Sequence, residues 1–423
     1  MKRPRWLKPV WIDAVFLAAA AFYILAGVPS APFHGDEAMQ ITMSRDYFTA
    51  FVERQPQLLW TEPPYTVDSP GWLRLINGSV NLYTVGFSLH LAGHGVDDLP
   101  RLWQWPLGVE ANIEQGSYPG EEILLFSRIP SALFLALSAV AIFLLGGETG
   151  GRPLAYLACA FYVLNPVVLL NGRRTMMEGS MLAFGLLAVW AAARIRADRT
   201  RAHHWLLLGL FSGMALTSKH SAILFAASAF AWVGFAASLR QYWRHFVGAA
   251  LLAGAVFIAG SPALWSNPVV GLSDLVRERQ ALLDSQTRAQ PEGAMPVWQR
   301  IEWLVTQPFI RPTEFYEAAF WGNSPLVLTE IQDYESSLWQ GIPAGMVLGT
   351  LLTLLAGFGI IVAVWKRQFG LLIWLGITAL SLMANPLRWQ RYYLPLIPIL
   401  ALLAGIGALQ AYTWIAQRAR SSV

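Results

Sequence analysis

Ten stretches of this chain are apolar for about as long as a bilayer is thick: 10–28, 129–147, 154–171, 176–193, 205–217, 221–239, 246–265, 342–365, 369–384 and 392–416. The hydrocarbon core is about 30 Å deep, and a helix rising 1.5 Å per residue needs about 20 apolar residues to cross it. Ten such stretches in one chain exclude an ordinary soluble domain. The charge content agrees, at 13% of 423 residues against about 25% in a soluble chain. The expected fold class is an all-α polytopic membrane protein of about ten helices. The first stretch follows a basic start, MKRPRWLK, and has no clear small-residue cleavage site after it. It reads as a retained helix, not a signal peptide. A single cysteine, Cys159, rules out a disulfide framework within the chain. The small net charge of +4 carries no nucleic-acid footprint.

Orientation follows from Lys and Arg in the short loops, which stay on the cytoplasmic side. With the N-terminus inside, the inner loops carry Lys2, Arg3, Arg5, Lys8, Arg152, Arg194, Arg196, Arg199, Arg201, Arg240, Arg244, Lys366, Arg367, Arg418 and Arg420. The C-terminus then also lies inside. The stretch 72–93 would reverse this pattern if it spanned. It contains Arg74, Asn77, Asn81 and His90, and reads instead as an interfacial helix. The organisation expected is an N-terminus and first span (1–28), a long outer loop (29–127), spans two to seven (128–265), a second long outer loop (266–341), and the last three spans with a cytoplasmic end (342–423). Loops this long usually have a function.

Several charges break the inside rule. Arg128, Arg173, Arg174, Lys219, His220, Arg388 and Arg391 stand at helix mouths on the outer side. Ionisable groups near membrane depth are expensive and tend to face a wet cavity or the protein interior. Snorkelling to lipid phosphates is the plain explanation for any one of them. Together they read as a basic cavity for an anionic lipid headgroup, because Arg matches phosphate oxygens with a planar fork of donors. The same mouth carries Asp36 and Glu37 in PFHGDEAMQ. A carboxylate beside such a cavity can take a proton from an acceptor hydroxyl while a lipid phosphate leaves. Asp36 competes for a second role as helix N-cap, and Glu37 as a partner of the helix dipole. Asp46 lies at helical spacing from the pair and reads as exposed.

These motifs resemble the GT-C-fold, polyprenyl-phosphate-dependent glycosyltransferases, in particular the protein O-mannosyltransferase-like family. The pieces are HGDEA, SRIPSALFLALSAV, RRTMMEGSMLAFGLLAVW, GMALTSKHSAILF and RWQRYYLPLIPIL, in that order. The resemblance implies a GT-C-type bundle with two long outer loops carrying interfacial helices. It implies Asp36 as general base, with Glu37 orienting the site. Arg128 matches an Arg close to the lipid phosphate. Arg174, Lys219, Arg388 and Arg391 complete the candidate phosphate set, and His34, His220 and Tyr392 are candidate substrate contacts. Glu178 stands where many relatives have a second acid, often Asp, and its role toward sugar, acceptor or metal stays open. No cofactor is required on this reading. A divalent cation needs several oxygens and finds only Asp36 and Glu178. The partners implied are a polyprenyl-phosphate-sugar donor, a protein, lipid or glycan acceptor, and membrane lipid, with the site on the outer face of the plasma membrane. The rival reading is a transporter or flippase of a lipid-linked saccharide, for which the paired carboxylates and long loops have no evident use.

Overall fold

In lipid every backbone N–H and C=O must be satisfied within the protein, so apolar stretches of spanning length become helices. The computed structural model describes residues 10–421, apart from 237–238, 291–293 and 318. The basic residues Lys2, Arg3, Arg5 and Lys8 lie outside the described residues. Among the described residues no strand forms, and one isolated bridge joins Ala294 to Leu387. Five helices among the described residues are long and apolar enough to span: Glu121–Gly150, Glu178–Ala197, Arg240–Gly260, Gly345–Trp365 and Gln390–Ala419. Val10–Ala26, His220–Phe235 and Phe369–Ala384 are shorter apolar helices, and Ala202–Ser218 covers the stretch 205–217.

The expected third span, 154–171, is not one straight helix. Arg152–Val163 and Pro166–Arg173 meet at 66°. Pro166 cannot donate to the preceding turn, and Asn165 caps the new helix by accepting from Val167 N at 3.0 Å. The break docks on the second long segment and on Ile342, which follows it. Leu164 O accepts from Ile342 N at 2.8 Å, and Asn165 Nδ2 donates to Pro308 O at 2.7 Å.

The ambiguous stretch 72–93 divides into Pro70–Ile76 and Val80–Leu91, of 7 and 12 residues, both far short of a span. Asp46, expected to be exposed, is buried. It accepts two hydrogen bonds from Arg74, at 2.6 and 2.8 Å. The break at 77–79 docks on the end of Ala202–Ser218: Ser79 N donates to Thr217 O at 2.9 Å. Only glycine fits at 78, because a Cβ there would overlap the Ser218 carbonyl. This contact fixes the backbone immediately before Lys219.

The helices pack around Glu178–Ala197, which touches Glu121–Gly150, Ala202–Ser218 and Ile223–Ala236. Gly345–Trp365 lies along Ile397–Ser421. The two approach closely because Gly359 and Gly407 have no Cβ to strike Leu403 O and Leu355 O, as small residues permit in membrane bundles. Helix Glu121–Gly150 has 30 residues and a length of about 45 Å. Its first turns therefore rise out of the apolar layer and bring Arg128 among the long segments. Ion pairs Asp13–Arg152 at 2.7 Å and Glu148–Arg194 at 2.6 Å tie the opposite end of the bundle. The second long segment contributes helices Pro268–Ala289, Val297–Thr306 and Pro325–Ser336.

Candidate active site

The Asp-Glu pair sits in the first turn of helix Gly35–Met43. The cap is His34, not Asp36. The His34 ring accepts from Asp36 N at 3.1 Å, and Glu37 Oε1 accepts from His34 N at 3.1 Å. This reciprocal cap leaves the Asp36 carboxylate for other work. Neighbouring residues on a helix point about 100° apart, so the two acids face different surroundings.

Glu37 points inward and is 0% exposed. Arg128 holds it in a fork, Nε to Oε2 and Nη2 to Oε1, both at 2.7 Å. Thr175 N adds a bond to Oε2 at 2.8 Å. Burial alone would raise the Glu37 pKa, but the charges of Arg128 and Arg174 outweigh it and hold it below the ordinary carboxylate value. Arg174 is also buried and donates to the carbonyls of Pro32 at 2.9 Å and Phe315 at 3.1 Å. Arg128 and Arg174 thus brace the first long segment against the bundle and the second long segment. Neither lines the cavity described next.

Asp36 points into a cavity of about 340 Å³. Around it stand Glu178, Lys219, Arg279, Arg391 and Tyr392, with indoles from Trp72, Trp105, Trp321 and Trp389. A second, larger groove of about 650 Å³ is lined mainly by apolar side chains such as Met181, Leu216, Ile223 and Phe257. The two spaces share Lys219, Arg279, Leu282, Gln286, Arg391 and Tyr392. A cluster of cations therefore stands where the two spaces meet.

Each cation has a different degree of freedom. Lys219 pairs with Glu178. Arg391 pairs with Asp36, and its Nε lies 2.8 Å from Glu317 Oε1. Arg279, on Pro268–Ala289, has no ion-pair partner among the described residues. Burial pulls its pKa down, Tyr392 offsets part of this, and Arg391 adds to it. An under-neutralised, half-buried guanidinium is a seat for an anion.

Of the residues singled out from sequence, Asp36, Glu178, Lys219, Arg391 and Tyr392 meet at the cavity. His220 lines the apolar groove. His34 lies behind the chamber, 1% exposed. Arg388 is exposed and lines neither space. Two residues escaped the sequence reading, Arg279 and Glu317, both from the second long segment. That segment is strapped over the site: Glu314 N donates to Gln390 Oε1 at 2.7 Å, and Gln390 Nε2 donates to Pro312 O at 2.9 Å. Among the described residues no three His, Cys, Asp or Glu side chains converge to cage a metal.

The all-helical bundle with its capping segments has the GT-C glycosyltransferase fold. The archaeal oligosaccharyltransferase AglB of Archaeoglobus fulgidus, in complex with an inhibitory peptide and a dolichol-phosphate, superposes with a TM-score of 0.55 at 12% identity. The match covers 99% of this chain and 52% of AglB, so this chain spans about half the length of that protein. ArnT of Cupriavidus metallidurans, bound to undecaprenyl phosphate, gives 0.49 at 13% identity, over 94% of this chain and 60% of ArnT. The S. cerevisiae Pmt1–Pmt2 complex gives 0.43 at 14% identity, over 65% and 35%. Residues 124–265 match the family model of dolichyl-phosphate-mannose-protein mannosyltransferases. No curated protein matches by sequence.

Proposed function

We propose that this chain is a membrane glycosyltransferase. It moves a sugar from a polyprenyl-phosphate donor to an acceptor hydroxyl, with the segments 29–127 and 266–341 on the outer face and both termini in the cytoplasm. The observation that carries the reading is the shared wall of Lys219, Arg279 and Arg391 between the Asp36 chamber and the apolar groove. A polyprenyl-phosphate sugar has the matching sequence of parts: an apolar chain, an anionic phosphate and a polar sugar. The AglB structure holds a dolichol-phosphate, which has the first two of these parts.

In the proposed reaction Asp36 accepts the proton of the acceptor hydroxyl. The acceptor oxygen bonds to the anomeric carbon. The bond from that carbon to the phosphate oxygen breaks, and its electron pair stays on the leaving polyprenyl phosphate. Lys219, Arg279 and Arg391 meet the charge that develops there, an electrostatic contribution that is often the largest in catalysis. The indoles around the chamber offer flat apolar faces to the sugar. Asp36→Asn keeps the shape and the His34 cap but removes the base. Sugar transfer by the purified variant should fall by roughly 10²–10⁴-fold, with polyprenyl-phosphate binding retained. Transfer at the parent rate would refute the assignment of Asp36. No sugar transfer by the parent chain would reopen the transporter reading.

A further inference from the structure

Four residues close a ring at the back of the chamber. Asp36 N donates to His34 Nδ1 at 3.1 Å. His34 Nε2 lies 2.9 Å from Glu317 Oε2. Glu317 Oε1 lies 2.8 Å from Arg391 Nε, and Arg391 Nη1 returns to Asp36 Oδ2. The cap sets the tautomer of the imidazole. Nδ1 accepts from a backbone N–H and so carries no proton, which leaves the proton on Nε2 to be donated to Glu317. Burial alone would raise the Glu317 pKa, but Arg391 and His34 outweigh it and keep the carboxylate charged. Tyr316 stacks on the His34 ring at 5.0 Å and donates its hydroxyl to Phe33 O. The backbone next to Glu317 is therefore pinned as well. Neither His34 nor Glu317 lines the chamber.

We propose that Glu317 is a positioning residue for sugar transfer: it anchors the Nε edge of Arg391, so that the guanidinium presents its Nη atoms to the donor phosphate instead of closing as a fork on Asp36. The proposal rests on the glycosyltransferase reading above. A guanidinium binds a carboxylate most strongly through two parallel hydrogen bonds. Here Arg391 makes one hydrogen bond to Asp36, while its Nε faces Glu317 as an ion pair at 2.8 Å without hydrogen-bond geometry. Released from that anchor, Arg391 would fork onto Asp36, and a carboxylate gripped by two charge-assisted bonds is a weaker base. His34 ties the anchor to the helix that carries Asp36, so base and cation keep their register.

The test uses the full chain, purified in lipid or detergent. Release of polyprenyl phosphate is followed from a panel of short-chain polyprenyl-phosphate sugars, with an envelope extract supplying acceptors. Rates are normalised to the folded fraction measured by gel filtration. Glu317→Gln keeps the shape and an acceptor for His34 but loses the charge. Its kcat should fall roughly 10-fold or more, within the 10²-fold range of a misplaced catalytic geometry, while the donor KM stays level or rises alongside that loss. Glu317→Asp, which keeps the charge, should recover part of the loss. His34→Asn, which still caps the helix but cannot reach Glu317, should lose kcat in the same direction and less. A rise in donor KM with kcat intact would make Glu317 a donor-binding group and overturn the proposal. A rise in acceptor KM would make it an acceptor ligand, with the same consequence. A loss that vanishes on normalisation would reduce Glu317 to a structural role. A wild-type chain that releases polyprenyl phosphate from no donor would overturn the functional reading itself, and this inference with it.

Discussion

Replacing Glu37 by glutamine tests whether the pair at the helix start divides its work as the geometry requires. Oε1 of Glu37 receives Arg128 Nη2 at 2.7 Å and His34 N at 3.1 Å, and Oε2 receives Arg128 Nε at 2.7 Å and Thr175 N at 2.8 Å. Glutamine has one oxygen and one NH2. Whichever way the amide turns, its NH2 faces two N–H donors at hydrogen-bond distance. Two bonds become donor–donor contacts, and the buried Arg128 cation loses its ion-pair partner. Breaking one side of a buried ion pair costs about 3–5 kcal/mol, and the lost bonds place this case toward the upper end. Glu37→Gln should therefore unfold several degrees below the parent, read as a melting temperature in detergent. The replacement of both partners, Glu37→Leu with Arg128→Met, should recover much of the loss, since no charge is then left buried. The low pKa of Glu37 adds a pH signature. A depressed carboxylate stabilises the fold above its unfolded value of 4.5 and loses that stabilisation as pH falls through the folded value. The parent should lose stability in acid by this route, and Glu37→Gln should not. A Glu37→Gln protein as stable as the parent at pH 7 would refute the reasoning.

Two further outcomes follow from the same geometry. Arg279→Gln should weaken binding of a short-chain polyprenyl phosphate markedly more than Arg388→Gln, because Arg279 lies in the shared wall and Arg388 lines neither space; equal effects in a binding titration would sink the phosphate-seat assignment. Burial, opposed by the Gln390 N–H and reinforced by Glu317, pushes Glu314 up to about 7 from 4.5, so its contribution to stability is complete below pH 4.5 and is lost as pH rises toward 7. Glu314→Gln, which is always neutral, should match the parent near pH 4.5 and exceed it above pH 7 by no more than about 3 kcal/mol, and a stability difference that does not change with pH would count against this.

The helical plan was legible because lipid imposes one solution on long apolar stretches. The errors fall where a local rule met a tertiary one. The stretch 154–171 is apolar throughout, yet Asn165-Pro166 breaks it, and the break docks on the second long segment and on Ile342. Those partners lie more than 140 positions away and leave no trace in the local pattern. Asp36, Lys219 and Arg391 could be found because each is a charge at an apolar helix mouth. Arg128 gave the same signal for a different reason: its helix rises beyond the apolar layer, and its fork is closed on Glu37. Charge out of place shows that a partner exists. It does not tell a ligand from a neighbouring carboxylate. Arg279 and Glu317 gave no such signal, because both lie among other charges in a polar segment, where nothing in the spacing separates them from Arg277 or Glu314.

The ion pair between Asp36 and Arg391 joins residues 355 positions apart. Chains grow at about 5–20 residues per second, so Asp36 is made roughly 20–70 s before the guanidinium that completes its surroundings. The strap carrying Glu317 also arrives late in synthesis. Through most of its own production the molecule therefore holds the Asp36 carboxylate without its ion-pair partner. On the proposed reading, a chain that stops short of residues 390–396 would be inert.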